Sequence, residues 1–196
     1  MMSCNNTQYN GIDISHHNKV CWECIKNDSN IIFCYIKATE GKSYKDPKVI
    51  NNYKKAKSLK LKTGFYHYYI YNVSAKKQFD NFNNIYKKCD AELIPVIDVE
   101  DTGNSYSDIK KFNQNLEELI NLFYINYKVY PVIYLGTRNS FKSLPVIYKY
   151  KIWFGILPKT KYLPSSIHQL AIKEIGCNKV DINYCNNLNK LLINKN

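Results

Sequence analysis

The stretch 93-LIPVIDVE-100 decides how the rest of the chain is read. Its apolar run, rich in β-branched residues, has the pattern of a strand buried on both faces, as in a parallel sheet. It then ends in two acids, Asp98 and Glu100. Side chains alternate along a strand, so both point to one face, with Cα atoms about 6.6–7 Å apart. Two carboxyls that close make each other harder to ionise, so one can keep a proton near neutral pH and serve as a general acid. Paired acids of this kind are what glycosidic cleavage requires. Taken alone, D-x-E marks only the place where a buried strand meets water, so its weight depends on its surroundings.

On either side, short β-rich runs alternate with longer helical patterns. Strands are expected at 11-GIDIS, 31-IIFCYIK, 64-GFYHYY and 131-PVIYLG. Between them Val49, Tyr53 and Ala56, and then Ile109, Phe112, Leu116, Leu119, Ile120 and Phe123, recur at helical spacing. Asp46-Pro47 and Ser107-Asp108 supply helix starts. Such alternation is the signature of consecutive βα units. After Gly136 the rhythm changes. The runs 151-KIWFGI, 168-HQLAI and 179-KVDINY are joined by connections too short for helical crossovers, so antiparallel pairing is expected there. The fold class is therefore α/β, an irregular TIM-like (β/α)5β3 barrel. Its 196 residues form one domain with a core over about 9–190 and no separate wall-binding module.

In such a barrel the carboxyl ends of the strands carry the active site, which is where Asp98 and Glu100 fall. Asp13 lies in the first strand and Asp181 in the last. Closure makes those strands neighbours, so four acids from three strands would meet at one mouth. Judged singly, either acid could equally cap a loop amide. Aromatic rings stack on apolar sugar faces, and Tyr66, Tyr68, Tyr134 and Trp153 all fall in or at the ends of expected strands. His16, His17 and His67 raise the thought of a metal hydrolase. Adjacent histidines point apart, however, and no H-x-x-x-H or H-E-x-x-H occurs, so no metal site is expected.

The formal charge of +12 suggests a polyanionic partner. Nucleic acid is disfavoured, because Arg138 is the only Arg among 28 basic residues and lysines such as those of 54-KKAKSLKLK-62 are scattered over helix faces. Attraction to an anionic cell wall is the functional reading. Seven cysteines make an odd number, so reduced thiols are the simpler expectation. Cys21 and Cys24 form a C-x-x-C with no second such pair at zinc spacing, and are read as structural thiols. The opening MMSCNNTQYN has no secretory pattern, and no apolar run is long enough to insert stably in a membrane.

The assembled pieces resemble the lysozymes of glycoside hydrolase family 25, the Chalaropsis-type muramidases. The resemblance rests on 11-GIDISHHN-18, 36-IKATEG-41, 64-GFYHYY-69, 94-IPVIDVE-100, 131-PVIYLG-136, Trp153, Gln169 and 180-VDIN-183, in the family's order. It implies hydrolysis of the β-1,4 bond between N-acetylmuramic acid and N-acetylglucosamine in bacterial cell-wall peptidoglycan, by a monomer without a cofactor. It also implies Glu100 as proton donor and Asp98 as helper of the substrate's 2-acetamido group, with Asp13 and Asp181 organising the pair and Tyr66, Tyr68, Tyr134, Trp153 and Gln169 binding sugar. His168 and Leu170 beside Gln169, and Leu157, depart from the aromatics often found in the family. An endolysin held in the cytoplasm until release, or a secreted enzyme whose leader is gone, both fit. The rivals are a chitinase-like hydrolase, which would need acids where Leu93 and Val96 stand, and a barrel that binds glycan without cutting it.

Overall fold

A computed structural model of the chain describes residues 9–137, 139–143, 147–155, 167–176 and 178–193. Cys4, Arg138 and Cys177, and with them the departure at Leu157, lie outside the described residues.

Nine strands form one sheet: β1 (Gly11–Ile14), β2 (Phe33–Glu40), β3 (Tyr44–Lys45), β4 (Lys62–Tyr68), β5 (Val96–Val99), β6 (Val132–Leu135), β7 (Ile152–Phe154), β8 (Ile167–Ile175) and β9 (Asn178–Tyr184). Their order is β1-β9-β8-β7-β6-β5-β4-β2-β3, and a further β1–β2 pairing closes eight of them into a barrel. The strands from β1 round to β8 pair in parallel. β8 with β9 and β9 with β1 are antiparallel; the tight β8–β9 turn gives the antiparallel pairing expected there, whereas β7 and β8 pair in parallel despite the short connection. β3 is a two-residue extension hairpinned onto β2, which sequence reading did not separate.

The helices are α1 (Trp22–Asn27), α2 (Val49–Ser58), α3 (Ala75–Tyr86) and α4 (Ile109–Tyr127). Asp108 caps α4 by accepting from the Lys111 amide, and Ser74 caps α3 by accepting from Lys77. Asp46 turns the chain into α2 through its carboxylate, which accepts from the Lys48 amide at 2.8 Å. The fifth expected helix is reduced. After β6 the described residues hold a 3-10 helix, Asn139–Ser143.

The reduced-thiol expectation is corrected at one place. Cys21 and Cys24 are joined as a disulfide at the start of α1. Three residues apart, with Cα atoms 5.2 Å from each other, they are held within bonding range by the helical turn itself. Cys34, Cys89 and Cys185 are free.

Two apolar layers follow from strand alternation. One face of the parallel strands, with Ile12, Ile36, Phe65, Ile97 and Ile133, packs against Phe82 of α3 and Phe112, Leu116 and Phe123 of α4. The other face fills the barrel, where Phe33, Tyr35, Val96, Val132, Trp153 and Ile167 form a plug. Glycines admit its largest rings. A Cβ on Gly11 would lie 2.1 Å from the Phe33 ring, and one on Gly64 2.3 Å from that of Tyr35. The chain's return near its end seals the amino-terminal opening, where Ile94 donates to the Leu191 carbonyl at 2.8 Å.

Candidate active site

Climbing the inner face of the barrel, the side chains change from hydrocarbon to carboxyl within one or two alternations. Val96 of β5 belongs to the apolar plug, Asp98 stands above it, and Glu100 follows just past the strand's end. On β1 and β9 the register sets Asp13 directly opposite Asp181. Above the plug opens a cavity of about 270 Å3, lined by Asp13, Tyr66, Asp98, Glu100, Tyr134 and Asp181 together with Val96, Trp153 and Gln169.

Eight of the nine residues singled out from sequence thus meet in one place. Tyr68 does not line the cavity. Its hydroxyl donates to the Thr102 carbonyl at 3.0 Å, and its ring faces the Lys37 ammonium at 4.8 Å. Trp153 is at the floor more than the wall, only 2% exposed, with its ring edge-on to Tyr134 at 5.3 Å.

The acids are held by different partners. Asn183 donates to Asp13 at 2.7 Å. Gln169 donates to Asp181 at 2.7 Å while its carbonyl oxygen accepts from the Tyr134 hydroxyl at 2.5 Å, so a chain of hydrogen bonds runs from β6 through β8 to β9. Glu100 is set by its backbone, whose carbonyl accepts from Asn104 and from the Tyr106 hydroxyl. Its carboxylate lies over Gly136, where a Cβ would come within 2.6 Å of Oε1. Asp98 Oδ1 is buried and has no hydrogen-bond partner among the described residues, and the same holds for Trp153 Nε1.

Burial raises the affinity of all four acids for protons. Asp98 is pushed well up by desolvation first and by the Glu100 charge second, with Lys37 opposing. Desolvation and the facing Asp181 push Asp13 well up, against the Asn183 hydrogen bond. Glu100 is raised by desolvation, opposed by Lys37 and supported by Asp101 and Asp181. Asp181 is raised by desolvation, and Gln169 resists. All four shifts run in one direction, so the mouth binds protons more readily than four free carboxylates would.

Sequence reading missed Lys37, Asn183, Gly136 and Asp101. Lys37 is 8% exposed, on β2, ion-paired to Glu40 at 2.7 Å. A lysine within the apolar run 31-IIFCYIK was the available signal, since buried lysines need an anionic partner. Two of the histidines have partners within the fold. His16 lies 2.9 Å from Asp46, while His67 is buried between the Thr39 hydroxyl at 2.8 Å and Gln78 Oε1 at 3.2 Å.

The model of the family described as glycosyl hydrolases family 25 matches residues 12–160, most of the chain. The chain belongs to glycosyl hydrolase family 25. Its barrel superposes on that of a bacterial lysozyme from Streptomyces coelicolor, with a TM-score of 0.75 at 21% identity over 93% of this chain and 94% of that one. A family 25 glycosyl hydrolase from Bacillus anthracis gives a TM-score of 0.74 at 20% identity, covering 92% and 91%. At these identities the likeness establishes the fold. In sequence, lysozyme M1 of Streptomyces globisporus is 31% identical over 123 residues, 60% of this chain and 42% of that protein. The chain spans under half the length of the curated relatives it matches. Among the described residues, no helix is long and apolar enough to cross a membrane.

Proposed function

We propose that this family 25 protein is a lysozyme that cleaves the β-1,4 bond between N-acetylmuramic acid and N-acetylglucosamine in peptidoglycan. The observation that carries the reading is the convergence of Asp13, Asp98, Glu100 and Asp181 on one aromatic-walled cavity. Glu100, the outermost of the β5 pair, gives its proton to the leaving glycosidic oxygen. Asp98 faces the substrate's 2-acetamido group, accepting its N–H while the acetamido oxygen attacks the anomeric carbon. Glu100, now a carboxylate, then takes a proton from the water that opens the resulting ring. Asp13 and Asp181, held by Asn183 and Gln169, shape the polar surroundings of the oxocarbenium-like centre without touching the leaving group. Tyr66 and Tyr134 supply ring faces and hydroxyls, and Trp153 Nε1 and Asp98 Oδ1, unpaired within the protein, supply hydrogen bonds that a sugar completes.

All the steps are served by side chains, so the scheme calls for no cofactor. The net charge of +12 draws the protein to the anionic wall as a monomer. Whether it arrives as an endolysin released from cytoplasm or as a secreted enzyme, the wall is its site of action.

The test is digestion of purified peptidoglycan with identification of the new reducing end. N-acetylmuramic acid is expected, and N-acetylglucosamine would assign another hydrolase class. Glu100→Gln should fold normally and lose roughly 10²–10⁴-fold in turnover, the usual worth of a general acid. Binding without release of reducing ends by the unaltered protein would make it a glycan-binding barrel instead.

A further inference from the structure

The C-x-x-C disulfide has a tertiary role beyond bracing a short helix. Gly176, at the turn between β8 and β9, is seated on it: a Cβ there would lie 2.4 Å from Cys24 Sγ and 3.5 Å from Cys21 Cβ. The glycine has φ +67, a conformation few other residues adopt. Beside this seat a groove of about 550 Å3 is lined by Cys24, Asn27 and Asp28 from one side and Lys173, Glu174 and Gly176 from the other. Further fastenings tie the hairpin to residues around this segment. The Lys173 ammonium lies 4.1 Å from the Tyr9 ring centroid and bonds its hydroxyl, which in turn donates to Asp28, and Asn18 donates to the Lys179 carbonyl at 3.3 Å. The β8–β9 hairpin is therefore docked on the 21–28 segment, with Tyr9 and Asn18 flanking it, and this hairpin carries Gln169 and Asp181 into the cavity.

We propose that Cys21–Cys24 is a redox modification site, reduced by low-molecular-weight thiols entering through this groove, and that its reduction releases the hairpin tip. A thiolate attacks one sulfur of the pair and forms a mixed disulfide. A second thiol attacks the small-molecule sulfur, leaving as the oxidised small disulfide. Two thiols are consumed, the protein disulfide gains two electrons, and the two protons end on Cys21 and Cys24. Bonded sulfurs sit about 2 Å apart. Unbonded, they must separate to van der Waals range, about 3.5 Å or more. Cys24 Sγ has Gly176 against it, so the hairpin yields. The consequence for turnover rests on the proposed lysozyme function, whereas the consequence for the hairpin does not.

The experiment uses the full chain with Cys177→Ser, which removes the thiol next to Gly176. Iodoacetamide should label Cys21 and Cys24 only after treatment with reduced glutathione or dithiothreitol. Backbone amides of β8 and β9 should then exchange with deuterium roughly tenfold faster, and reoxidation should restore their protection. Gly176→Ala should speed the same amides with the disulfide intact. Labelling of both cysteines without reductant, or identical exchange in the two redox states, overturns the proposal. Equal exchange in Gly176→Ala and its parent overturns the seat. Release of reducing ends should fall severalfold on reduction. Loss of hairpin protection with unchanged turnover overturns the control of activity, while absence of wall cleavage in either state refutes the lysozyme reading and leaves the exchange result standing.

Discussion

β5 and β9 both bring carboxylates to the same mouth, yet their settings differ. Every residue of β5 is buried, and its outward Ile97 and Val99 share a core with Phe82 of α3 and Phe112 and Phe123 of α4. β9 mixes buried with part-exposed and exposed positions, its partner β8 is exposed or part-exposed over most of its length, and no α-helix follows β7, β8 or β9 among the described residues. One wall of the site is fixed by hydrophobic burial on both faces of a sheet. The other is fixed by the Gln169–Asp181 and Asn183–Asp13 hydrogen bonds and by the docking of the hairpin on Cys21–Cys24. Burial of apolar area is the larger and less directional force, so the first wall should resist perturbation that moves the second.

The sharpest way to break this contrast is a pair of truncations. Phe82 is fully buried against Phe123 at 4.9 Å and Tyr86 at 5.2 Å. Phe82→Ala should cost about 3–5 kcal/mol, the usual loss for a buried aromatic. On β8, Ile172 is 61% exposed. Ile172→Ala should change stability by no more than about 0.5 kcal/mol. Chemical denaturation of both variants checks this, and comparable losses would mean that the two walls are held alike.

A second contrast lies in the histidines. His67, on β4 beneath α3, is pushed down to about 4, chiefly by desolvation and with Lys37 adding, against the Gln78 hydrogen bond. Gln78 Oε1 already accepts from the Ile70 amide and its Nε2 donates to two carbonyls, so the ring donates through Nε2 and accepts from Thr39 at Nδ1. It is neutral in the native state. Its folded pKa lies below the unfolded value near 6.5, so its contribution is whole above that pH and is lost as pH falls toward 4. The loss amounts to roughly 3 kcal/mol. His168 on β8 is also lowered by desolvation, but it is exposed, and its influence should be much smaller. Stability measured from pH 7 to 4 should fall less steeply in His67→Gln than in the parent, and equal slopes would remove His67 as the cause.

These elements also show what a sequence makes legible. β5 could be read because burial on both faces demands a continuous apolar run, and its acids stood out as the break in that run. Asp13 and Asp181 were legible through closure, since a barrel leaves the first and last strands no other neighbours. Lys37 escaped because it reads as one lysine among many until the strand pairings show that it faces the acids' side of the barrel. The Cys21–Cys24 bond escaped because its significance depends on Gly176, more than a hundred and fifty residues away, and because an odd cysteine count speaks only of the total. Tyr68 was assigned to the sugar wall by alternation and by the resemblance of 64-GFYHYY-69. Alternation gives the face, but the height above the plug decides whether a side chain lines the cavity or its rim. The family match itself ends at residue 160, short of Gln169 and Asp181, so for the hairpin the geometry carries what similarity does not.

The smallest expected effect is also the most discriminating between the walls. Asp98 and Asp181 both hold protons more tightly than free aspartate, but Asp98 is fully enclosed beside Glu100 with Oδ1 unpaired, whereas Asp181 is partly open and bonded to Gln169. A carboxyl whose folded pKa exceeds its unfolded one favours the native state while protonated and weakens it as pH rises through the folded value. Asn at position 98 never ionises, so Asp98→Asn should stabilise the fold near neutral pH, with the gain shrinking as pH falls toward 4. On the proposed mechanism it should do so while depressing turnover strongly, because the carboxylate assigned to the acetamide is replaced by an amide. Asp181→Asn removes a charge that is partly open to solvent and hydrogen-bonded to Gln169, and its gain in stability should be smaller. Thermal melting of the two variants across pH 4 to 8 makes the comparison. If Asp181→Asn stabilised as much as Asp98→Asn, the hairpin acid would be as desolvated as the β5 acid, and the difference between the two walls would lie in their backbones alone.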